Sequence, residues 1–281
     1  MISEDVKTVR NGAQDDRKRW VFVTGGASGI GEGIARVLHD SGYGVILADR
    51  DAERLAEVSA SFEHVRTVVA DVSDPAATAV MRDAAESVDG LWGLVNAAGI
   101  SMVKHFLLNT EEEWTRILRV NLEGTFRSIG AIAPVLKNNG GGAIVNIASI
   151  TGRAPAALQA AYAASKAGVI GMSKSLAFDF GPLDITVNAV CPGVVRTPIW
   201  DRILEQDAAA TGRSEDEIFA EHVKPIPVGR PQSVQDIGEI SRFLLSDAAR
   251  SISGEEIGVT GGMGFVEFDF ATAARELPEQ L

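Results

Sequence analysis

Tyr162 and Lys166 stand four residues apart in an alanine-rich segment, with Ser149 a short way upstream. At that spacing a tyrosine and a lysine share one face of a helix, one turn from each other. An ammonium group held beside a phenol favours the phenolate and lowers its pKa. Such a pair can donate and accept a proton near neutral pH. Earlier in the chain, Thr24-Gly25-Gly26-Ala27-Ser28-Gly29-Ile30-Gly31 follows an apolar run and opens an amphipathic stretch. A glycine turn there leaves backbone amides free to meet a pyrophosphate, and the helix dipole adds positive potential. A dinucleotide site beside a proton-transferring pair implies hydride transfer between a nicotinamide and a carbonyl or alcohol.

Each signal alone is weak. In a chain of this composition a Tyr-x-x-x-Lys arises by chance about 0.05 times, and an exposed helical pair is the plain alternative. The glycines miss Gly-x-Gly-x-x-Gly because Ile34 takes the last position, and Glu32 stands where a P-loop has lysine. A merely tight turn is the alternative there. Asp49 follows the turn by some 20 residues, where an acidic side chain can accept hydrogen bonds from the adenosine ribose. A carboxylate there repels a 2′-phosphate and favours NAD over NADP. Arg50 softens that preference, and an ordinary turn aspartate is the competing account.

The elements that would hold these groups alternate regularly. Apolar runs at Trp20–Val23, Val45–Ala48, Arg66–Val69, Leu91–Val95, Ala143–Ile147, Ile185–Val190 and Glu256–Val259 read as strands. Between them the pattern predicts helices over Gly29–Asp40, Ala52–Ser61, a stretch after Pro75, Thr110–Lys137, 156–180, and one capped by Ser233 and Asp236. Continuous apolar strands alternating with helices mean an α/β fold, a doubly wound parallel sheet of about seven strands covered on both faces.

At 281 residues the chain fits one α/β domain. A net charge of −12 argues against nucleic acid or an anionic membrane as partner. No apolar run is long enough to span a bilayer, and no metal cluster stands out. The single cysteine, Cys191, lies in an apolar stretch and fits a reducing, cytoplasmic setting. Residues 1–19 read as a flexible tail without a secretory core segment.

Taken in order, the motifs resemble the short-chain dehydrogenase/reductase family over residues 20–264. They are Thr24-Gly25-x-x-x-Gly29-x-Gly31, Ala70-Asp71-Val72, Asn96-Ala97-Ala98-Gly99, Val120-Asn121, Ser149, Tyr162-x-x-x-Lys166 and Asn188-x-x-x-Pro192-Gly193-x-x-x-Thr197. The resemblance implies a Rossmann-like fold, a nicotinamide cofactor, and a role for each matched position. Tyr162 would be general acid or base, and Ser149 would orient the substrate oxygen. Lys166 would hold the nicotinamide ribose and lower the tyrosine pKa. Asn121 would hold a water that passes protons towards Lys166. The cofactor would lie along Thr24, Gly25, Ser28, Gly29, Ile30 and Gly31, with Asp49 and Arg50 at the ribose. Asp71 and Val72 would flank the adenine, with Asn96, Ala97, Ala98 and Gly99 on the adenosine side. Pro192, Gly193, Val195 and Thr197 would meet the nicotinamide end.

The segment 198–230 would be the substrate lid, mixing Ile199, Trp200, Ile203, Leu204, Ile218 and Phe219 with acidic residues. Its start looks like that of dehydrogenases acting on small diols, hydroxyketones or polyols. Met102, His105, Arg153, Pro155 and Leu158 are further candidates for the pocket wall. Residues 265–281 form an acidic extension holding Phe265, Phe268 and Phe270. Small residues along 156–180 suit a subunit interface, giving a homotetramer or homodimer. The alternatives are a 3-oxoacyl-thioester or hydroxysteroid reductase of the same family, or a non-catalytic NAD-binding protein.

Overall fold

In the computed structural model, which describes residues 19–264, seven strands form one all-parallel sheet. They are β1 (Trp20–Thr24), β2 (Gly44–Asp49), β3 (Val65–Val69), β4 (Leu91–Asn96), β5 (Gly142–Ile147), β6 (Ile185–Pro192) and β7 (Glu256–Val259). The spatial order is β3-β2-β1-β4-β5-β6-β7. The chain reverses its direction of winding between β1 and β4, and such a reversal opens a crevice at the carboxyl ends of the strands.

Side chains alternate across each strand, so every buried strand feeds two cores. Val21, Val23, Val45, Leu47, Val95 and Val145 face helices α1 (Gly29–Asp40), α2 (Ala52–Ser59) and a late helix, Val234–Leu244. Phe22, Ile46, Leu94, Ile144 and Val187 face the other layer, which includes α3 (Ala77–Glu86). The sheet is apolar on both faces, which explains strands that read as unbroken runs.

The predicted helix from Thr110 to Lys137 is divided. α4 (Glu111–Leu118) begins at a reciprocal Thr110–Glu113 capping box, a π-helical turn spans Arg119–Glu123, and α5 (Gly124–Asn138) continues. Pro134 in α5 has no N–H for the carbonyl of Gly130, and Arg82 donates to that oxygen at 3.3 Å. The helix predicted over 156–180 begins later, as α6 (Ala160–Phe180). A single 3₁₀ turn, Ile150–Gly152, and a loop precede it, and Leu158 at φ 63° breaks helical geometry just before the start. Segment 198–230 holds α7 (Pro198–Thr211) and α8 (Glu215–Val223), and α9 (Val234–Leu244) follows its Ser233–Asp236 box.

α1 and α9 touch almost backbone to backbone. A Cβ on Gly33 would lie 2.4 Å from Val234 Cβ, and one on Gly238 would lie 2.5 Å from Val37 Cγ2. Residues 1–18 and the extension 265–281 lie outside the described residues. Among those described, no helix is long and apolar enough to cross a membrane, and no cluster of metal-ligating side chains occurs.

Candidate active site

The glycine turn joins β1 to α1 and folds tightly on itself. Gly25 and Gly29 have φ of 67° and 55°, a region that favours glycine. A Cβ on Gly31 would meet the carbonyl oxygen of Gly25 at 2.1 Å, and one on Gly25 would come 2.8 Å from Ala98 Cα. Only glycine fits this cradle. The first-turn amides of α1 therefore face the crevice without intrahelical acceptors. Residues present here fit a dinucleotide.

The crevice encloses about 220 Å³. Gly25, Ser28, Gly29, Ile30 and Gly31 form its floor, with Asp49, Arg50, Asp71 and Val72 to one side. Ala97, Ala98 and Gly99, from the end of β4, and Tyr162, Lys166 and Thr197 complete the expected set. Asp49 is fixed by two backbone donors, Ala27 N–H to Oδ2 and Asp51 N–H to Oδ1, both 3.1 Å. Burial pushes the Asp71 carboxyl up, but hydrogen bonds from Ser73 and the Arg50 charge outweigh it and leave it below its usual value.

Five expected cofactor residues lie behind this surface. Thr24 Oγ1 accepts from the amides of Ala97 and Ala98 at 3.2 and 3.3 Å, joining the tips of β1 and β4. Asn96 Nδ2 donates to Asn146 Oδ1 at 2.8 Å, and Asn146 Nδ2 donates to Ser173 Oγ at 2.9 Å. The Asn96 side chain thus bridges β4 to the neighbouring β5 and does not line the crevice. Pro192 closes β6, Val195 is buried and bridges to Gln232, and Gly193 borders a second cavity.

Ser149, Tyr162 and Lys166 meet where α6 crosses the end of β5. Ser149 Oγ accepts the amide of Thr151 at 3.1 Å, which leaves its own hydroxyl hydrogen free to donate. Ser149 is also hydrogen-bonded to Tyr162. Lys166 Nζ donates to the carbonyl of Ile147 at 2.8 Å and lies 5.8 Å from the Tyr162 ring centre. Burial lowers the Lys166 ammonium to about 8. Burial also raises the Tyr162 phenol, and the hydrogen bond from Ser149 offsets this only in part. The lowering of Tyr162 expected from a charged lysine is thus absent here, because desolvation dominates both groups. Cys191 is fully buried and burial raises its thiol to about 11, as suits an apolar filler.

Asn121 sits in the π turn with no exposed surface. Its side chain is committed to Ile100 and Ser165. It borders the crevice only through Gly99, where a Cβ would lie 3.3 Å from Asn121 Oδ1 and 3.5 Å from Lys166 Nζ.

A second cavity of about 100 Å³ opens from the first at Tyr162 and Ile199. Ile150, Val194, Trp200, Ile203 and Met263 give it apolar walls, and Ser101, Thr151 and Gln159 add neutral polar groups. No charged side chain lines it among the described residues. Met102, His105, Arg153, Pro155 and Leu158 border neither cavity. Arg153 pairs with Glu256 at 3.4 Å, and His105 Nδ1 accepts the amide of Leu107 at 3.3 Å. The lining residues that the sequence reading missed include Gln159, just before α6, and Arg202, on α7. The start of a helix at Pro198 was the available signal for Arg202, since it puts 202 one turn along the same face.

A seven-stranded doubly wound sheet with this constellation at its switch point defines a dinucleotide-dependent oxidoreductase. A family profile described as enoyl-(acyl carrier protein) reductase matches residues 25–264. Oxidoreductase UcpA of Escherichia coli (strain K12) is 35% identical over 246 residues, covering 86% of this chain and 92% of that one. L-2,3-butanediol dehydrogenase of Corynebacterium glutamicum is 34% identical over 250 residues, 86% of this chain and 97% of its own. The crystal structure of a single-site variant of actinorhodin polyketide ketoreductase with NADPH superposes with a TM-score of 0.83. It is 31% identical and covers 89% of this chain and 98% of that one. The chain belongs to the short-chain dehydrogenase/reductase family.

Proposed function

We propose that this protein is an NAD(H)-dependent oxidoreductase that interconverts a secondary alcohol and a ketone on a small uncharged substrate, a diol, hydroxyketone or polyol. The observation that carries the reading is the position of Ser149 and Tyr162, between a dinucleotide crevice and a small chamber lined without charge. A nicotinamide held in the crevice supplies or accepts the hydride. Ser149, its oxygen already accepting from Thr151, donates its hydrogen to the substrate oxygen or to Tyr162. Tyr162 gives a proton to the developing alkoxide in reduction and takes one in oxidation. Lys166, bonded to Ile147 O, holds the nicotinamide ribose from the crevice floor. Asn121 positions Gly99–Ser101 against α6, and its oxygen beside Lys166 is the place for a proton-carrying water.

Asp49 favours NAD. Its carboxylate is held at the end of β2 by two backbone donors and faces the crevice, where a 2′-phosphate would meet like charge. The related butanediol dehydrogenase supports a small substrate. A 3-oxoacyl-thioester reductase is the second reading, favoured by the family profile and the ketoreductase likeness. The narrow chamber speaks against a bulky acyl carrier.

We also propose that copies assemble as a homotetramer or homodimer in the cytoplasm. The exposed surface of α6 includes the small residues Ala164, Ala167 and Gly171, and Phe178 on it is 84% exposed, while Phe126 on α5 is 65% exposed.

The test is absorbance of reduced nicotinamide with NAD or NADP across secondary alcohols, diols, polyols, hydroxyacyl thioesters and steroids. NADH formed from a small diol or polyol supports the reading. Turnover confined to thioesters selects the second. Tight NADH binding with no turnover on any of them leaves a binding protein.

A further inference from the structure

We propose that Arg202 is the lid's anchor for the cofactor's diphosphate, so that α7 is drawn over the site by the dinucleotide and not by the substrate. The inference rests on the dinucleotide reading of the crevice. α7 begins against the anion-binding end of α1: a Cβ on Gly29 would lie 3.5 Å from Thr197 Cβ and 3.7 Å from Pro198 Cδ. Pro198, Ile199 and Arg202 all line the crevice, and their spacing puts them on one face of α7. Arg202 therefore lies one turn of α7 beyond Pro198 and borders the same crevice as the first-turn residues of α1.

The side chain is exposed and uncommitted. Among the described residues Arg202 makes no hydrogen bond or ion pair. Nearby Arg196, by contrast, lies 3.6 Å from both Asp201 and Asp216. Three cations line the crevice: Arg50 after β2, Lys166 at the Tyr162 end, and Arg202. Arg50 follows Asp49 at the ribose position, and Lys166 is bonded to Ile147 O. Arg202 alone is left for the middle, where backbone amides supply about half a unit of positive charge against a diphosphate that carries more. A guanidinium matches phosphate oxygens with two parallel hydrogen bonds. Ile199, Trp200 and Ile203 wall the substrate chamber from the same helix. Anchoring α7 through Arg202 therefore fixes these walls when the cofactor is bound.

The test titrates the full chain and its Arg202→Gln and Arg202→Lys variants with NADH, ADP-ribose and adenosine by calorimetry. NADH and ADP-ribose should each weaken about tenfold in Arg202→Gln, with partial recovery in Arg202→Lys. Adenosine, which lacks the diphosphate, should bind all three forms alike. ADP-ribose should protect 198–223 from limited proteolysis in the parent and not in Arg202→Gln. Unchanged ADP-ribose affinity in Arg202→Gln overturns the proposal. So does a raised substrate KM with unchanged dinucleotide Kd, which would assign Arg202 to the substrate. If the parent protein binds neither NADH nor ADP-ribose, the dinucleotide reading fails and this inference falls with it.

Discussion

Asn121 and the main chain of Ile100 exchange two hydrogen bonds, each 2.9 Å long: the Ile100 amide donates to Oδ1, and Nδ2 donates to the Ile100 carbonyl. The second hydrogen on Nδ2 goes to Ser165 Oγ at 3.0 Å. One side-chain amide thus acts as a strand partner for the segment after β4 and fastens it to α6. Asn121→Leu would leave the part-buried Ile100 N–H and C=O without their partner, at up to about 1–3 kcal/mol each. The expected outcome is a melting temperature lower by roughly 5–10 °C, read by scanning calorimetry, with a fall in kcat. An unchanged melting temperature would contradict the positioning role.

Tyr162→Phe keeps the ring and removes the proton. Turnover should fall by a factor of at least about 100 while NADH affinity stays near that of the parent, since Lys166 and the glycine turn are untouched. Steady-state kinetics and fluorescence titration separate the two. A large loss of NADH affinity would overturn the assignment of Tyr162 to proton transfer.

Asp49→Asn removes the charge and keeps one acceptor oxygen, so only one of the amides of Ala27 and Asp51 retains its partner. The ratio of kcat/KM with NADP to that with NAD should rise about tenfold or more, the scale of one lost ionic repulsion. A constant ratio would place ribose discrimination elsewhere.

Lys166 links the site to stability. Burial lowers its ammonium from 10.5 to about 8, so between those values the unfolded chain binds a proton that the folded protein has released. Stability at this position therefore rises with pH across that window. Below about 8 the folded protein bears the full cost of a buried ammonium, on the order of 3 kcal/mol. Lys166→Met removes this dependence. The melting temperature of the parent minus that of Lys166→Met should climb as pH goes from about 7 to about 10. A flat difference would mean that the lysine is not desolvated.

Phe178 and Phe126 test assembly. Glutamate at both exposed positions should reduce the mass measured by light scattering, with the melting temperature following protein concentration only in the parent. A parent protein that is already monomeric would refute the proposed oligomer.

The sheet was legible because strands buried on both faces show as apolar runs, and all seven lie where those runs are. The interruptions were not. The π turn depends on what Asn121 meets from Ile100 and Ser165, contacts distant in sequence. The late start of α6 depends on Leu158, whose carbonyl accepts from the amide of Lys104 at 2.7 Å. Tyr162, Lys166 and Ser149 could be named because residue type and order mark them. The partner of Asn96 was not legible, since residue type says nothing of which side of a strand tip an amide serves, and here its Nδ2 donates to Asn146.

The seam between α1 and α9 bears on how the protein is made. Gly33 and Gly238 let two helices from opposite ends of the chain interlock, and α1 carries the turn that cradles the cofactor. A ribosome delivers α1 long before α9. Until α9 emerges, the outer face of α1 lacks its partner, and the nascent chain exposes Val37, which meets Gly238 and is buried in the finished protein. Closure of this seam is thus a late event in synthesis, and an early stop before residue 234 leaves the α9 side of α1 uncovered and prone to association.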